Sequence, residues 1–311
     1  MTWTGGIAEW EEGETTYLSI AFTYLLNKAY DRAQMARFLG RKVVVGGPAL
    51  FLMKKGKMTH PISLIATVGS EYEDAVFRHN PEATRASKGC PVGCHFCIVP
   101  QMEGAEFTLM PNFPVRPILC DNNLSALPAE YQEYIIERYI KHGVRLTDAN
   151  SGFEPRTFTD EVYARWKPLI NAGGGPWRFA FDDMKEAEEV YAVFRMLKDE
   201  PARRKRVYVL IGNEPFDPCM ERIHKTIEAG CEPHIQPFLD LTAMTREPRA
   251  RFDWTPQRMK DVARWANGFL WRSIPFAEYD RKASKRPAGV SSAEGGDGGA
   301  LRNTQKDVQR R

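Results

Sequence analysis

Short apolar runs alternate with amphipathic segments along most of this chain. Near the N-terminus, "YLSIAFTYLL" contains an apolar, strand-like run, and the segment from about Asn27 to Leu39 has helical spacing. A second apolar run, Val43 to Val45, then ends at a Gly-Gly-Pro turn. A strand, a helix and a strand in this order predict a βαβ unit.

Further apolar runs follow at intervals of roughly 30 residues, the length of a β/α unit in a parallel sheet. These runs are "VRPILCDNN", "VRLTDANSG", "WRFAFDD", "RVYVLIGNE" and "PHIQPFLD". Each precedes a segment with helical spacing, and the run before Cys90 adds a sixth strand. Most of the strands end in polar residues. The pattern predicts an α/β fold, a partial (β/α)6 TIM-like barrel with its site at the C-terminal ends of the strands.

Charge is distributed unevenly along the 311 residues, whose formal net charge is +3. Residues 281–311 contain eight Lys or Arg side chains against three Asp or Glu side chains, in a stretch rich in Gly, Ser and Ala. Such a composition predicts disorder. With the strand pattern above, we divide the chain into an N-terminal βαβ cap (1–80), a partial barrel (81–275) and a basic, disordered tail (276–311).

The hydropathy pattern gives no reason to expect a membrane protein. No apolar run approaches the roughly 18 residues needed to cross a bilayer. The first residues, "MTWTGGIAEWEEGETT", carry acids instead of the basic start and apolar core of a secretory signal. We expect a cytoplasmic protein with no membrane partner. In a large cytosolic chain, clustered cysteines indicate a metal site or redox chemistry more often than a disulfide framework.

Three of the six cysteines lie close together in "RASKGCPVGCHFCIVPQMEG", residues 85–104. Cys90, Cys94 and Cys97 have the spacing C-x3-C-x2-C, with Phe96 directly before the last cysteine. Three thiolates suffice for three irons of a cubane and leave the fourth iron open, whereas electron-carrying clusters normally have four cysteine ligands. An open iron indicates chemistry on a cofactor or substrate.

A structural zinc site is the alternative for these three thiols. It requires a fourth ligand, which His95, Cys120 or a more distant residue could supply. Ordinary zinc motifs, however, use paired C-x2-C units. The remaining cysteines, Cys120, Cys219 and Cys231, lie among apolar residues and are typical of small core side chains.

The C-x3-C-x2-C spacing, with an aromatic residue before the last cysteine at the end of the first of six β/α units, resembles the radical SAM superfamily. The resemblance extends from about Glu82 to Arg272. It implies that the three cysteines hold a [4Fe-4S] cluster whose open iron binds S-adenosylmethionine (SAM). Reductive cleavage of SAM would give a 5′-deoxyadenosyl radical that abstracts hydrogen from an unknown substrate. It also implies an electron donor such as flavodoxin or ferredoxin.

The same resemblance implies SAM contacts near the ends of the strands. The implied residues are Phe96, Asp121, Asn122, Glu154, Arg156 and Gly212. Phe96 would pack beside the adenine, and Gly212 would let the adenine approach the backbone. Asp121 and Asn122 would hold the amino group of SAM, although a helix N-cap explains them equally well. Glu154 and Arg156 would bind the ribose, the carboxylate or the substrate, although a surface ion pair explains them equally well. No residue is identified as catalytic.

The N-terminal segment resembles the second half of the Rossmann-like domain of cobalamin-dependent and methylthiotransferase-like radical SAM enzymes. No D-x-H-x-x-G motif is present, so cobalamin is not expected. "CIVPQMEG" is similar to a run in tRNA methylthiotransferases, with Glu103 in place of an arginine. One alternative is therefore a nucleic-acid-modifying enzyme that binds RNA through the basic tail. The other is a zinc-stabilised, non-catalytic binding protein.

Overall fold

Ten α-helices and four small sheets make up the described part of this computed structural model, which covers residues 3–69, 72, 74–150, 152–248 and 251–280. The strands are β1 (Ile7–Glu12), β2 (Thr15–Ile20), β3 (Lys42–Gly46), β4 (Thr67–Val68), β5 (Ala83–Thr84), β6 (Ser87–Lys88), β7 (Thr108–Leu109), β8 (Ile118–Leu119), β9 (Asp148–Ala149), β10 (Trp177–Ala180), β11 (Lys205–Ile211) and β12 (Glu232–Pro237).

The helices connect these strands and, in the second half of the chain, follow them one by one. They are α1 (Leu26–Phe38), α2 (Pro48–Lys55), α3 (Ile62–Ile65), α4 (Ala75–His79), α5 (Val99–Met102), α6 (Ala129–His142), α7 (Asp160–Gly173), α8 (Ala187–Met196), α9 (Phe216–Glu228) and α10 (Pro256–Asn267). Within the described ranges, no helix combines the length and the apolar character that crossing a bilayer requires.

The N-terminal sheet has the order β1-β2-β3-β4. β2 and β3 are parallel and joined by α1, which confirms the predicted βαβ unit. The small side chains Ala29, Ala33 and Ala36 are buried on α1 at helical spacing, and they pack with Leu18 and Val45 of the sheet. β1 adds an antiparallel edge strand that the apolar pattern did not predict.

The six predicted strands of the second part all form, as two parallel sheets with the orders β5-β8-β9 and β10-β11-β12. A hydrogen bond connects the two sheets: the N–H of Phe153, which follows β9, donates to the carbonyl of Arg178 in β10 at 2.9 Å. The Arg178 guanidinium also forms a two-point ion pair with Asp148 of β9, with both N–O distances 2.6 Å. Among the described strands, pairing closes no barrel, so the fold that the structure establishes is mixed α/β.

Helix ends in this part follow local sequence signals. The Thr159 hydroxyl accepts a hydrogen bond from the Val162 N–H and caps the start of α7. Gly143 ends α6 in the left-handed region, with φ of 64°. Both residues are typical sequence signals for the start and the end of a helix.

Buried apolar side chains form three clusters, one in the N-terminal sheet and two in the parallel sheets. The predicted boundary at residue 80 lies between α4 and β5. Phe276, placed in the predicted tail, packs on Trp265 of α10 with a centroid distance of 5.5 Å, so residues 276–280 belong to the folded body. The rest of the predicted tail, and with it the RNA-binding alternative, lies at 281–311, outside the described residues.

The segment after β12 crosses to the N-terminal sheet. The Thr23 hydroxyl lies 3.1 Å from the carbonyl oxygen of Leu241 and 2.6 Å from that of Ala243. Met244 packs against the apolar cluster of the N-terminal sheet. This crossing contact fixes the sheet relative to the last strand.

Candidate functional site

The three clustered cysteines lie in one loop that a short antiparallel stem closes. β6 pairs with β7, and the Cys90 N–H donates to the Gly104 carbonyl at 3.2 Å. Gly89 has φ of 80°, and a Cβ at this position would lie 2.0 Å from the Glu106 carbonyl oxygen. Only glycine therefore fits beside the stem. We call residues 89–104 the cysteine loop.

All three thiols of the cysteine loop are free and half-buried. The Val99 N–H donates to Cys97 Sγ at 3.4 Å, and Arg156 Nη2 donates to Cys94 Sγ at 3.3 Å. Burial raises the pKa of both the Cys94 and the Cys97 thiols. For Cys94, the hydrogen bond and the positive charge of Arg156 act in the opposite direction and lower the pKa.

The chemistry of these donors fits an iron–sulfur cluster, although the thiols do not converge. Within the described ranges, no three His, Cys, Asp or Glu side chains are grouped as a metal site. A zinc site formed by the loop cysteines with His95 or Cys120 is therefore not preformed either. Thiolates are the soft ligands that such clusters require. N–H···S hydrogen bonds like those to Cys94 and Cys97 are contacts that tune cluster potentials. To hold a cluster, the three side chains would have to turn toward one another.

Glu103 fixes the base of the cysteine loop. Its carboxylate receives two hydrogen bonds from Arg85, at 2.9 and 2.5 Å, one from the Gly89 N–H at 3.2 Å and one from Asn122 Nδ2 at 2.7 Å. Burial alone raises the pKa of Glu103, but the hydrogen bonds and charge of Arg85, with those of Asn122 and Gly89, outweigh it, so the pKa is lowered. The carboxylate is therefore held ionised between both ends of the loop.

Two residues predicted to contact SAM, Asp121 and Asn122, form hydrogen bonds within the protein. Asn122 donates to the Gly89 carbonyl at 3.1 Å as well as to Glu103, so it supports the loop base. Asp121 is fully buried, and its two oxygens accept hydrogen bonds from the Ala86 N–H at 3.0 Å and the Ser87 hydroxyl at 2.5 Å. Each carboxylate oxygen therefore already accepts a hydrogen bond from the protein, and contact between Asp121 and SAM stays a prediction.

Asp121 should make the stability of the protein depend on pH. Burial raises its pKa to about 6, against an ordinary value of 3.8, while its hydrogen bonds act to lower it. Because the folded state then holds this proton more tightly than the unfolded state, stability is lost as the pH rises from about 4 through about 6. We expect Asp121→Asn to remove this loss, which amounts to at most about 3 kcal/mol.

Urea unfolding between pH 4 and pH 7 measures this effect. The matched control is Asp160→Asn, at the exposed start of α7. Only Asp121→Asn should flatten the dependence of the free energy of unfolding on pH. Equal slopes for the wild type and both variants would contradict the expected role of the buried carboxyl group.

Arg156 connects the cysteine loop to a group of acids. Besides Cys94, its guanidinium contacts Glu154 Oε1 at 2.6 Å and Glu186 Oε1 at 3.4 Å. Burial raises the pKa of Glu186 to about 7 and that of nearby Asp182 to about 6. The structure thus brings the predicted residues Glu154 and Arg156 together beside Cys94.

The other two predicted contacts, Phe96 and Gly212, pack against neighbouring side chains. The ring of Phe96 packs edge-on against His95, with a centroid distance of 4.9 Å. Gly212 follows β11 with φ of 86°, and a Cβ there would lie 2.6 Å from the side chain of Met259 on α10. Packing against this helix already explains the glycine. Contact of Phe96 and Gly212 with adenine stays a prediction.

Three residues of the site were not singled out as site residues from the sequence: Arg85, Glu103 and Glu186. Arg85 and Glu103 flank the cysteine motif with opposite charges, a signal that could have suggested an ion pair across the loop. Glu186 follows the end of β10 by six positions, in a short 3-10 helix whose placement beside Arg156 depends on tertiary packing.

A cleft of about 1420 Å³ adjoins the base of the cysteine loop. One wall comes from the ends of β2 and β3, including Gly47. The opposite wall includes Arg85 and Glu103 at the loop base, and Cys120 and Asn150 after β8 and β9. The cleft therefore lies between the N-terminal sheet and the carboxyl ends of the parallel strands, where ligands bind in many α/β folds.

The site as a whole combines three free thiols on one loop, an acidic group around Arg156 and a cleft beside the loop base. These parts are supplied by the ends of successive parallel strands. A comparison with models of known protein families finds no match to this chain, and a comparison with curated proteins finds no relative.

Proposed function

We propose that this chain is a radical SAM enzyme in which Cys90, Cys94 and Cys97 hold a [4Fe-4S] cluster. The observation that carries the proposal is the cysteine loop itself: three free thiols at C-x3-C-x2-C spacing on a loop that follows the parallel strand β5 and is closed by the antiparallel stem of β6 and β7. When bound, such a cluster supplies an open iron for SAM and an electron that cleaves it to a 5′-deoxyadenosyl radical.

We also propose that β5 and β8–β12 with their helices form a partial (β/α)6 barrel. The strands are parallel within each sheet and follow one another in chain order. The two sheets are joined through Arg178 of β10, which pairs with Asp148 of β9 and accepts a hydrogen bond from the Phe153 N–H. Chain order therefore continues from the first sheet to the second. This arrangement supports a site at the carboxyl ends of the strands.

The chain's own residues have distinct parts in this proposal. Glu103 and Asn122 hold the two ends of the cysteine loop together, so the segment that carries the three thiols is anchored at its base. Arg156 donates to Cys94 Sγ and thereby stabilises a thiolate. Glu154 places negative charge beside this thiol, and Glu186 adds to it above its raised pKa of about 7. Negative charge here suits a cofactor whose amino and sulfonium groups are positive. An electron donor such as flavodoxin or ferredoxin completes the system.

Anaerobic purification with iron and sulfide analysis tests the proposal. Reconstituted protein should bind about four irons per chain. After reduction with dithionite in the presence of SAM, 5′-deoxyadenosine should appear by mass spectrometry. Zinc at unit stoichiometry, no visible absorption and unchanged SAM would overturn the proposal and favour the zinc-stabilised binding protein.

A further inference from the structure

The cleft beside the cysteine loop is lined by seven aromatic side chains among its described residues. Trp10 and Tyr17 are stacked, with centroids 5.3 Å apart and planes at 9°, and Tyr72 lies 5.0 Å from Trp10. A second stacked pair, Phe22 and Tyr24, has a centroid distance of 5.1 Å and planes at 7°. Residues of both pairs line one concave site, and the Arg78 guanidinium lies over the Trp10 ring, 5.1 Å from its centroid.

These aromatic side chains are not part of the apolar core. Phe22 is 48% exposed and Trp3 is 45% exposed, although both line the cleft. Trp10, Tyr17 and Tyr72 are partly exposed. Large apolar side chains exposed together in a concave site, rather than singly on a convex surface, mark binding sites.

The turn after β3 packs closely against β2 along this wall. Gly47 has φ of 97°, and a Cβ at this position would lie 2.7 Å from the carbonyl oxygen of Ile20. The glycine therefore lets the turn after β3 approach β2 closely. Carboxyl ends of parallel strands are the usual place for a ligand in open α/β sheets.

Positive charge dominates the described lining of the cleft. Lys54 on α2 and Arg246 after β12 are both exposed and line the cleft, and neither forms an ion pair with another described residue. Glu103 is the acidic residue among the described lining residues, and Arg85 neutralises it at 2.5 Å. The two cations therefore face the cleft without an internal counter-charge, which favours an anionic ligand.

We propose that this cleft binds a flat, conjugated small molecule that carries a negative charge. The stacked aromatic pairs would hold its ring system, and Lys54 and Arg246 would hold its anionic group. A volume of about 1420 Å³ accommodates several fused rings. Glu103 and Met102 belong to both the cleft and the cysteine loop. The bound molecule is therefore the substrate of the chemistry at that loop, which rests on the proposed function.

Flavin mononucleotide and riboflavin test the binding clause, because they share one conjugated ring system and differ by a phosphate. Stacking on tryptophan or tyrosine quenches flavin fluorescence, so titration of each flavin with protein measures binding. We expect flavin mononucleotide to bind more tightly than riboflavin, by roughly fivefold for each cation that contacts the phosphate. 8-Anilinonaphthalene-1-sulfonate serves as a second conjugated anion.

Variants locate the bound probe. Lys54→Glu combined with Arg246→Glu should weaken flavin mononucleotide and leave riboflavin unchanged, whereas Tyr17→Leu should weaken both. Phe22→Ala, at an exposed position, should also weaken both flavins without threatening the fold. The matched controls, Lys28→Glu and Phe38→Ala, change exposed residues of α1 outside the cleft and should have no effect.

Two results would overturn the proposal: no binding of either conjugated anion, or binding that the cleft variants do not change. The substrate clause is separated by Cys94→Ala. If this variant loses its iron but still binds flavin mononucleotide like the wild type, the cleft site stands independently of the cluster. If the wild type binds the flavin in the cleft but never forms a cluster, the proposed function fails and the binding clause remains.

Discussion

Cys94→Ala is expected to abolish cluster binding and, with it, all formation of 5′-deoxyadenosine. The two remaining cysteines of the loop cannot hold a cubane that leaves a single iron open, because that arrangement needs three thiolates. Cys94 is also the thiol that receives the hydrogen bond from Arg156. Iron and sulfide content, visible absorption and mass spectrometry of the SAM reaction measure the loss.

Cys120→Ala is the matched control for this experiment. Cys120 is free and half-buried like the loop cysteines, but it follows β8 and lies outside the cysteine loop. This variant should keep the iron of the wild type. Retained iron and full activity in Cys94→Ala would refute the ligand assignment, and loss of bound zinc in Cys120→Ala would favour the zinc alternative.

Glu103→Ala should produce the largest loss of stability among single changes near the site. The side chains of Glu103 and Arg85 are 12% and 14% exposed, so removal of the carboxylate leaves a nearly buried guanidinium without its main counter-charge. Breaking a buried pair in this way costs roughly 3–5 kcal/mol. The Gly89 N–H and the Asn122 amide lose an acceptor at the same time. Urea unfolding measures the change.

Two further variants separate charge from packing in this result. Glu103→Gln keeps an acceptor oxygen for Gly89 and Asn122 but removes the charge, so its loss should be smaller than that of Glu103→Ala. Glu228→Ala removes one partner of an exposed pair, since Lys225 and Glu228 are 42% and 63% exposed, and should cost less than about 1 kcal/mol. Equal losses for Glu103→Ala and Glu228→Ala would show that the loop base is not held by its ion pair.

Most of the secondary structure was predictable because its signals are local. β11 alternates buried and partly buried residues over its seven positions, and α6 ends at Gly143, as its sequence indicates. β1 was not predicted, because it lacks such a local signal. Only Ile7 and Ala8 of this strand are buried, and the rest is polar or partly exposed, so it carries little apolar alternation.

The candidate site was predictable only in part. The spacing of the cysteines places them on one loop, since residues separated by only a few positions in the sequence stay close in space. The role of Asp121 depends on how β6 crosses the end of β8, a tertiary relation that no local pattern contains. The Arg85–Glu103 pair likewise spans 18 positions and exists because the loop returns to its stem. Closure of a barrel depends on register between separate sheets, which the strand sequences alone do not define.

The crossing contact of Thr23 implies an order for the folding of a newly synthesised chain. Thr23 and Ala243 are 220 positions apart, so joining them costs more loop-closure entropy than forming any single β/α unit. Domains usually fold from the N-terminus as the chain emerges from the ribosome. The N-terminal sheet can therefore form early, but it must wait for residues beyond 240 before it is fixed in place. We expect the cleft to acquire its final shape only after the segment that follows β12 has been made.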